Sequence, residues 1–357
     1  MSDNVKFDAV VAGAGIWGCT VARRLADAGR RVLVLERREA IGGNCRCADD
    51  PDTGIEIHLY GSHIFHTHDR AVWDFVRRFT EFNGYQHKVL ANHGGRLYHL
   101  PLGLTLVNKF FGVELKPGEV RAFMADKGRA AAVFDAFFRG YTAKQWGCPP
   151  ESVDPSVLAR VPVRDNYDTN YFNDYWQGIP ADGYAALFAR LVDHPNVTVR
   201  CGAAFGLDRM GDFAGLPVYY SGPLDELFGY EFGPLPWRTL RFETERLPMS
   251  DYQGTSVVNY TDAAVPYTRI HEFKHYHPER RDVLARPGTV VVREYPAAWK
   301  PGDEPYYPVA TAASAALLAR YRERAASVPG LVVGGRLGGF RYLDMDQAMA
   351  SALALNI

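Results

Sequence analysis

The sequence predicts an α/β fold with one domain assembled from separated stretches of chain, a helical insert, and a mostly antiparallel β-sheet domain. Three observations predict it. A strand, a glycine-rich turn, a helix and a second strand open the chain between Phe7 and Glu36. Further strand-like segments return much later, at Val197–Arg200 and Val218–Tyr220. Beyond them, alternating patterns run from about Trp237 to Arg293, while a helix-prone stretch occupies Gly118 to Tyr141. With 357 residues, 47% of them hydrophobic, the chain can bury a sizeable core in roughly two domains.

The opening unit carries the clearest chemistry. Strand Ala9–Ala12 runs into Gly13-Ala-Gly15-Ile-Trp-Gly18, and a helix follows with Val21, Leu25 and Ala28 on one face, closed by Gly29. Strand Val32–Leu35 then ends at Glu36. This order is the dinucleotide-binding βαβ pattern, so the discontinuous domain is Rossmann-like. Gly13 makes the tight turn, Gly15 lets backbone amides approach a pyrophosphate, and Gly18 lets helix and strand pack closely. The helix N-terminus adds about half a positive charge toward that anion. Glu36 stands where a carboxylate accepts hydrogen bonds from a ribose. Glycine turns alone are weak evidence; the whole order is much stronger. After Glu36 come Arg37, Arg38 and Ile41-Gly42-Gly43-Asn44, a second close backbone approach to the cofactor. That extension resembles flavoproteins of the glutathione-reductase and amine-oxidase type and favours FAD over NAD.

The remaining elements follow in order. Val72–Phe82 reads as a helix with Val72, Phe75, Val76 and Phe79 on one face. Lys88–Ala91 and Leu97–Leu100 read as strands around an Asn92–Arg96 turn. The proline-rich run from Gln145 to Arg164 reads as a loop with at most one short helix. Tyr184–Val192 is an amphipathic helix, and a last helix spans about Asp344 to Leu355, after the pair Gly334-Gly335. The Rossmann-like FAD-binding domain is therefore expected from 1–80, 181–228 and 329–357. A helical insert with a mobile substrate lid occupies 101–165. The antiparallel-sheet substrate domain takes 81–100, 166–180 and 229–328. Such a layout leaves a cleft between domains.

Charge and cysteine content exclude several function classes. A formal net charge of −1 argues against nucleic acid or an anionic membrane as a partner, so an anionic ligand needs a local cluster of arginines. No apolar run reaches the roughly 20 residues of a membrane span. Five scattered cysteines, with Cys45-Arg-Cys47 too tight for a disulfide or a zinc knuckle, fit a reduced, cytoplasmic protein. The stretch Tyr60–His68 places His63, His66 and His68 close together, yet only Asp69 lies nearby as a further ligand, and no metal is expected.

Along nearly its whole length the chain resembles the bacterial flavin-dependent UDP-galactopyranose mutases. The resemblance is carried by YGSHIFHT, GYTAKQWG, RVPVR, YFNDYWQGIPADGY, FETE, NYTD, VPYTRIHEFKH, EYP, GDEPYYPV and GGRLGGFRYLDMDQ, in consistent order. It implies a redox-neutral isomerisation of a nucleotide-diphospho-hexose between pyranose and furanose forms. In that chemistry N5 of reduced FAD attacks the anomeric carbon and the nucleoside diphosphate departs and returns. An external reductant, NAD(P)H or a reductase, would keep the flavin reduced.

The resemblance also implies roles by position. His63 lies beside the flavin, and Arg164 and Arg269 clamp the pyrophosphate, where guanidinium forks suit phosphate oxygens. Tyr141 stacks on the base, Phe137 flanks it, and Gln145 and Trp146 sit at the mouth of the lid. Tyr307, Tyr342 and Asp344 touch phosphates and the flavin-proximal sugar, with Tyr306 a neighbour. Asn83, Trp176 and Asn259 are sugar-side or lid-side positions. Gly335, Arg336, Asp344 and Met345 form a second flavin contact, with a helix N-terminus aimed at the cofactor.

Departures from the family pattern bear on substrate and assembly. The insert before Tyr141 is short, which leaves the family's homodimer contact open. Leu100-Pro-Leu-Gly-Leu104 lacks a polar residue near the sugar, Ser62 stands where alanine or proline is common, and Phe340 replaces a tyrosine. A GDP-linked or deoxy sugar therefore stands beside UDP-galactose as a substrate. The competing readings are an FAD-dependent oxidoreductase of the amine-oxidase type and a non-catalytic binding protein; the paired arginines argue against the former.

Overall fold

The computed structural model describes residues 6–152 and 163–357. Its centre is a five-stranded parallel sheet with the order Leu331–Val333, Val218–Tyr220, Ala9–Ala12, Val32–Leu35, Val197–Arg200. Three widely separated stretches of chain thus build one sheet. The two inner strands Ala9–Ala12 and Val32–Leu35 are buried at every position, which a sheet covered on both faces requires. Alternation along them divides the cover. Val11, Val32 and Val34 face a core shared with Leu25, Tyr184, Leu187 and Met349, from the helices Ile16–Asp27, Gly183–Val192 and Met345–Leu353. Val10, Leu33 and Leu35 face the opposite side, toward Phe205, Met210 and Phe213.

A seven-stranded sheet forms the second layer, in the order Tyr307–Pro308, Trp237–Leu247, Thr289–Ala298, Arg269–Glu272, Val257–Tyr260, Val89–His93, Arg96–Leu100. All its pairings are antiparallel except that of Val257–Tyr260 with Val89–His93. The insert is helical, with Leu104–Phe111, Val120–Met124, Lys127–Phe134, a π-turn at Asp135–Arg139, and Gly140–Trp146. Most of the expected lid, 153–162, lies outside the described residues.

Several expectations are corrected. The helix expected to run on to Phe82 spans Arg70–Val76; Phe79 still reaches the core, but through a tighter turn in which its N–H bonds the Val76 carbonyl. A helix absent from the expectation, Ala312–Ala326, packs Leu318 and Tyr321 with Ala12 and Tyr220 of the parallel sheet. The segment before 329 therefore sides partly with that sheet. Trp176–Gly178, expected within the antiparallel domain, instead pairs with Phe65–Thr67 of the first segment. Phe340 lies edge-on to Trp237 in the core, at 4.8 Å between centroids. No helix among the described residues is long and apolar enough to cross a membrane.

Candidate active site

One pocket opens at the C-terminal ends of the parallel strands, where such sheets bind their ligands. Gly13, Gly15, Glu36, Arg37, Gly43, Asn44, His63, Gly335, Arg336, Asp344 and Met345 all line it. Gly18 lies behind them: a Cβ there would stand 1.9 Å from the Gly13 carbonyl oxygen, so only glycine lets the helix meet the turn. Gly13 has φ +102°, and a Cβ at Gly43 would come within 2.9 Å of the Gly15 Cα. The two glycine turns therefore nearly touch, leaving bare backbone toward the pocket. The first turn of the helix Ile16–Asp27 lines it, as does that of Met345–Leu353, capped by Asp344; both direct partial positive charge inward.

Charged side chains are braced around this floor. Glu36, 4% exposed, accepts from the Ala14 N–H at 2.7 Å and the Arg38 N–H at 2.9 Å. Arg37 donates to Glu304 at 2.8 Å. Arg38 donates through Nη2 to Asn44 and Glu304, while its buried Nη1 has no protein partner. An orphaned cationic donor beside bare backbone and two helix N-termini fits a dinucleotide's phosphates and ribose. The residues fit a flavin dinucleotide.

His63 sits at the pocket's other end. Burial, helped by the nearby Arg336 charge, pushes its pKa down to about 4, so the ring is neutral near pH 7. Its Nδ1–H donates to the Gly61 carbonyl at 2.7 Å, which leaves the Nε2 lone pair as an acceptor. The His63 backbone N–H donates to Nδ1 of buried His58 at 3.0 Å. Neutral His58 must then carry its proton on Nε2, the atom facing Glu56 at 3.7 Å. Cys47, Glu56 and His58 gather heteroatoms within 4.8 Å of one another, but that protonated nitrogen offers a metal ion no lone pair. His66 and His68 both pair with Asp174, at 2.8 and 2.7 Å.

A second cluster adjoins the pocket. Arg269 donates through Nε to the Tyr141 hydroxyl at 2.7 Å and through Nη1 to Glu294 at 3.5 Å. Burial alone would raise the Glu294 pKa, but the Arg269 charge and the His271 hydrogen bond outweigh it and bring it down to about 2. Burial likewise opposes the Arg269 charge, yet Glu294 and the neighbouring tyrosines raise its pKa well above normal. Trp146, Tyr307 and Tyr342 follow one another at 6.0 and 5.8 Å between ring centroids, and the Arg336 guanidinium lies 4.7 Å over the Tyr342 ring. Tyr306 adjoins Tyr307. This row leads from the helix Gly140–Trp146 to the wall of the first pocket.

Other expected residues are placed differently. Asn259 faces Arg269 across the antiparallel ladder, with its buried Oδ1 unpartnered, and Gln145 buries an amide without partners. Phe137 is a correction: it is 3% exposed among Tyr98, Phe110 and His93, a packing position rather than a wall for a base. Asn83 is another, since its amide nitrogen donates to the Tyr276 carbonyl and its oxygen accepts from Tyr85 and Ile179, which clamps loops together. Trp176 stacks on Trp73 at 5.7 Å between ring centroids, and the lid that it was one of the positions expected to border lies mostly outside the described residues. Arg164 does not pair off with Arg269 as a free clamp. It donates to Asp168 and to the carbonyls of Asn170 and Phe172, which leaves only a buried Nε unpartnered.

Glu294 and His271 were missed as site residues. A signal existed: one carboxylate inside Thr-Val-Val-Val-Arg-Glu294 must be buried, and a buried carboxylate needs a cation. Lys144 was missed too. Its ammonium lies 2.8–3.0 Å from four carbonyls, those of Tyr260, Asp262, Val265 and Tyr267.

Residues 136–342 match the family model for UDP-galactopyranose mutase, and residues 11–79 that for an NAD(P)-binding Rossmann-like domain. The chain is 40% identical to a probable UDP-galactopyranose mutase of Klebsiella pneumoniae, over 96% of this chain and 92% of that protein. It is 37% identical to a dTDP-fucopyranose mutase of Escherichia coli, over 96% of each. Likeness to an (S)-6-hydroxynicotine oxidase of Paenarthrobacter nicotinovorans covers 23% of the chain at 28% identity. Among solved structures, a reduced UDP-galactopyranose mutase superposes with a TM-score of 0.73 at 16% identity, covering 98% of this chain and 94% of the other, a likeness of fold.

Proposed function

Because the chain belongs to the UDP-galactopyranose mutase family, we propose that it interconverts the pyranose and furanose forms of a nucleoside-diphosphate hexose, with its flavin in the reduced state. The observation that carries this reading is Arg269, a cation fixed by Glu294 and Tyr141 and lying near Tyr307 of the aromatic row. An oxidase of small amines has no use for such a cation. Reduced FAD, when bound, supplies the nucleophile, so no side chain need attack the anomeric carbon.

The chain's own residues do the rest. Arg269 binds the diphosphate and stabilises the negative charge that grows on it as the glycosidic bond breaks. Holding that anion within the cleft keeps it ready to return. Tyr141 and Trp146 receive the nucleoside. Burial holds the Tyr307 hydroxyl protonated, so it acts as a neutral donor toward phosphate oxygens. His63, neutral and with Nε2 free to accept, orients the flavin and sugar without adding charge. Arg164 contributes through its buried, unpartnered Nε and by fixing the loop at Asn170–Phe172.

Uridine and thymidine diphosphates appear in the names of two mutases matched over nearly the whole chain, which supports a pyrimidine nucleotide over a guanine one. NAD(P)H or a partner reductase keeps the flavin reduced. The test is to reduce the flavin-loaded protein anaerobically with dithionite and add UDP-galactofuranose or dTDP-fucofuranose. Chromatography should show the pyranose product with reduced protein and none with oxidised protein. Oxygen consumption with an amine, and no conversion of either sugar, would instead support the oxidoreductase reading.

A further inference from the structure

Ser62 lies between Gly61 and the pocket-lining His63, yet its hydroxyl points away into a buried chain of hydrogen bonds. Ser62 Oγ is 2.7 Å from His271 Nδ1, and the Tyr276 hydroxyl is its other partner. His271 Nε2 is 3.1 Å from Glu294 Oε2, the same oxygen that faces Arg269. His271 is 0% exposed and Glu294 1%.

Donor and acceptor roles follow from the charges. Glu294 is ionised beside Arg269, so its oxygen only accepts and His271 Nε2 carries the proton. Burial holds the ring neutral, so Nδ1 is a lone pair that must receive a hydrogen. Ser62 O–H is the donor within reach, and Tyr276 O–H donates in turn to Ser62. Without that hydroxyl the Glu294 carboxylate still holds the proton on Nε2, but the Nδ1 lone pair is buried with no donor and the ring loses the bond that fixes its position.

We propose that Ser62 is a positioning residue whose hydroxyl, donating to Nδ1, holds the His271 ring against Glu294 and thereby the placement of Arg269, so that the flavin-side loop and the diphosphate-binding arginine are oriented by one chain of hydrogen bonds. A second contact points the same way: a Cβ on Gly61 would lie 3.7 Å from Glu294 Oε2, so the loop itself packs on this carboxylate. The proposal rests on the reading of Arg269 as the diphosphate-binding cation.

The test uses flavin-loaded wild type, Ser62→Ala, Ser62→Thr and Arg269→Ala, with UDP as the probe. Nitrogen-15 NMR of labelled histidine should find the His271 proton on Nε2 in both wild type and Ser62→Ala, with the Nδ1 resonance moved in the variant toward that of a lone pair without a donor. UDP affinity should fall about fivefold in Ser62→Ala, the weight of one hydrogen bond, with flavin content unchanged. Ser62→Thr, which keeps the hydroxyl, should restore both readouts. An unmoved Nδ1 resonance in Ser62→Ala overturns the proposal, as does equal loss in Ser62→Thr, which would mark a packing effect. If Arg269→Ala binds UDP as wild type does, the diphosphate reading fails instead, while the Nδ1 resonance still judges Ser62.

Discussion

Arg269 shows how one residue can be both recognisable and misjudged from sequence. An arginine in a strand-like aromatic run pointed to anion binding, and the strand Arg269–Glu272 sets it beside Tyr141 and Glu294. What the pattern did not reveal is the company it keeps: Glu294 lies directly opposite in the ladder, a pairing set by register. The surroundings of Arg164 were hidden for the complementary reason. A single arginine among loop residues cannot declare that carbonyls six and eight positions on will occupy it. Arg269→Ala should lower kcat/KM by about a hundredfold or more while flavin stays bound, because the lost stabilisation belongs to the transition state. Steady-state assay with reduced enzyme checks this; turnover near that of wild type would remove Arg269 from the mechanism.

Whole elements were easier to see where local chemistry decides them. Strands Ala9–Ala12, Val32–Leu35, Val197–Arg200 and Val218–Tyr220 have the bounds expected of them, because apolar β-branched runs ended by glycine or charge leave few alternatives. Paired strands of three residues, such as Cys47–Asp49 with Glu56–His58, are too short to show a period. The helix Ala312–Ala326 had a readable start, since Thr311 and Ser314 form a reciprocal capping box. The helix Gly140–Trp146 has a device that no pattern announces, the Lys144 ammonium among four carbonyls of the loop that leads to Arg269. Lys144→Met keeps the bulk and removes every donor. It should cost about 2–3 kcal/mol in urea unfolding, and weaken UDP binding as the loop relaxes. An unchanged unfolding midpoint would mean that water replaces the ammonium at no cost.

At the scale of the molecule, burial of titratable groups around the site makes a prediction about acid. The folded protein holds His63 at about 4 and His87 at about 3, both below the ordinary 6.5, and burial is the main cause. Glu294 is held at about 2, below its ordinary 4.5. In each case the unfolded chain binds protons first, so stability falls as pH falls. The histidines' share is complete above about 6.5 and declines toward 3, and that of Glu294 declines between 4.5 and 2. Unfolding free energies measured from pH 7 to pH 4 should therefore decrease steadily, and a flat profile would contradict the neutral, buried state of His63.

The sequence by itself determined the dinucleotide-binding turn, its glycines and acid, and the family to which the chain belongs. The turn depends on spacing along a few tens of residues, where backbone geometry leaves little freedom, and the family on motifs in consistent order along nearly the whole chain. Tertiary structure decided which polar groups meet. Ser62 with His271, Glu294 with Arg269, and Lys144 with the loop at Tyr260–Tyr267 join residues 25 to 209 positions apart. A buried charge or lone pair takes its partner from whatever the packed sheets bring within 3 Å or so, and that proximity is a property of the folded chain.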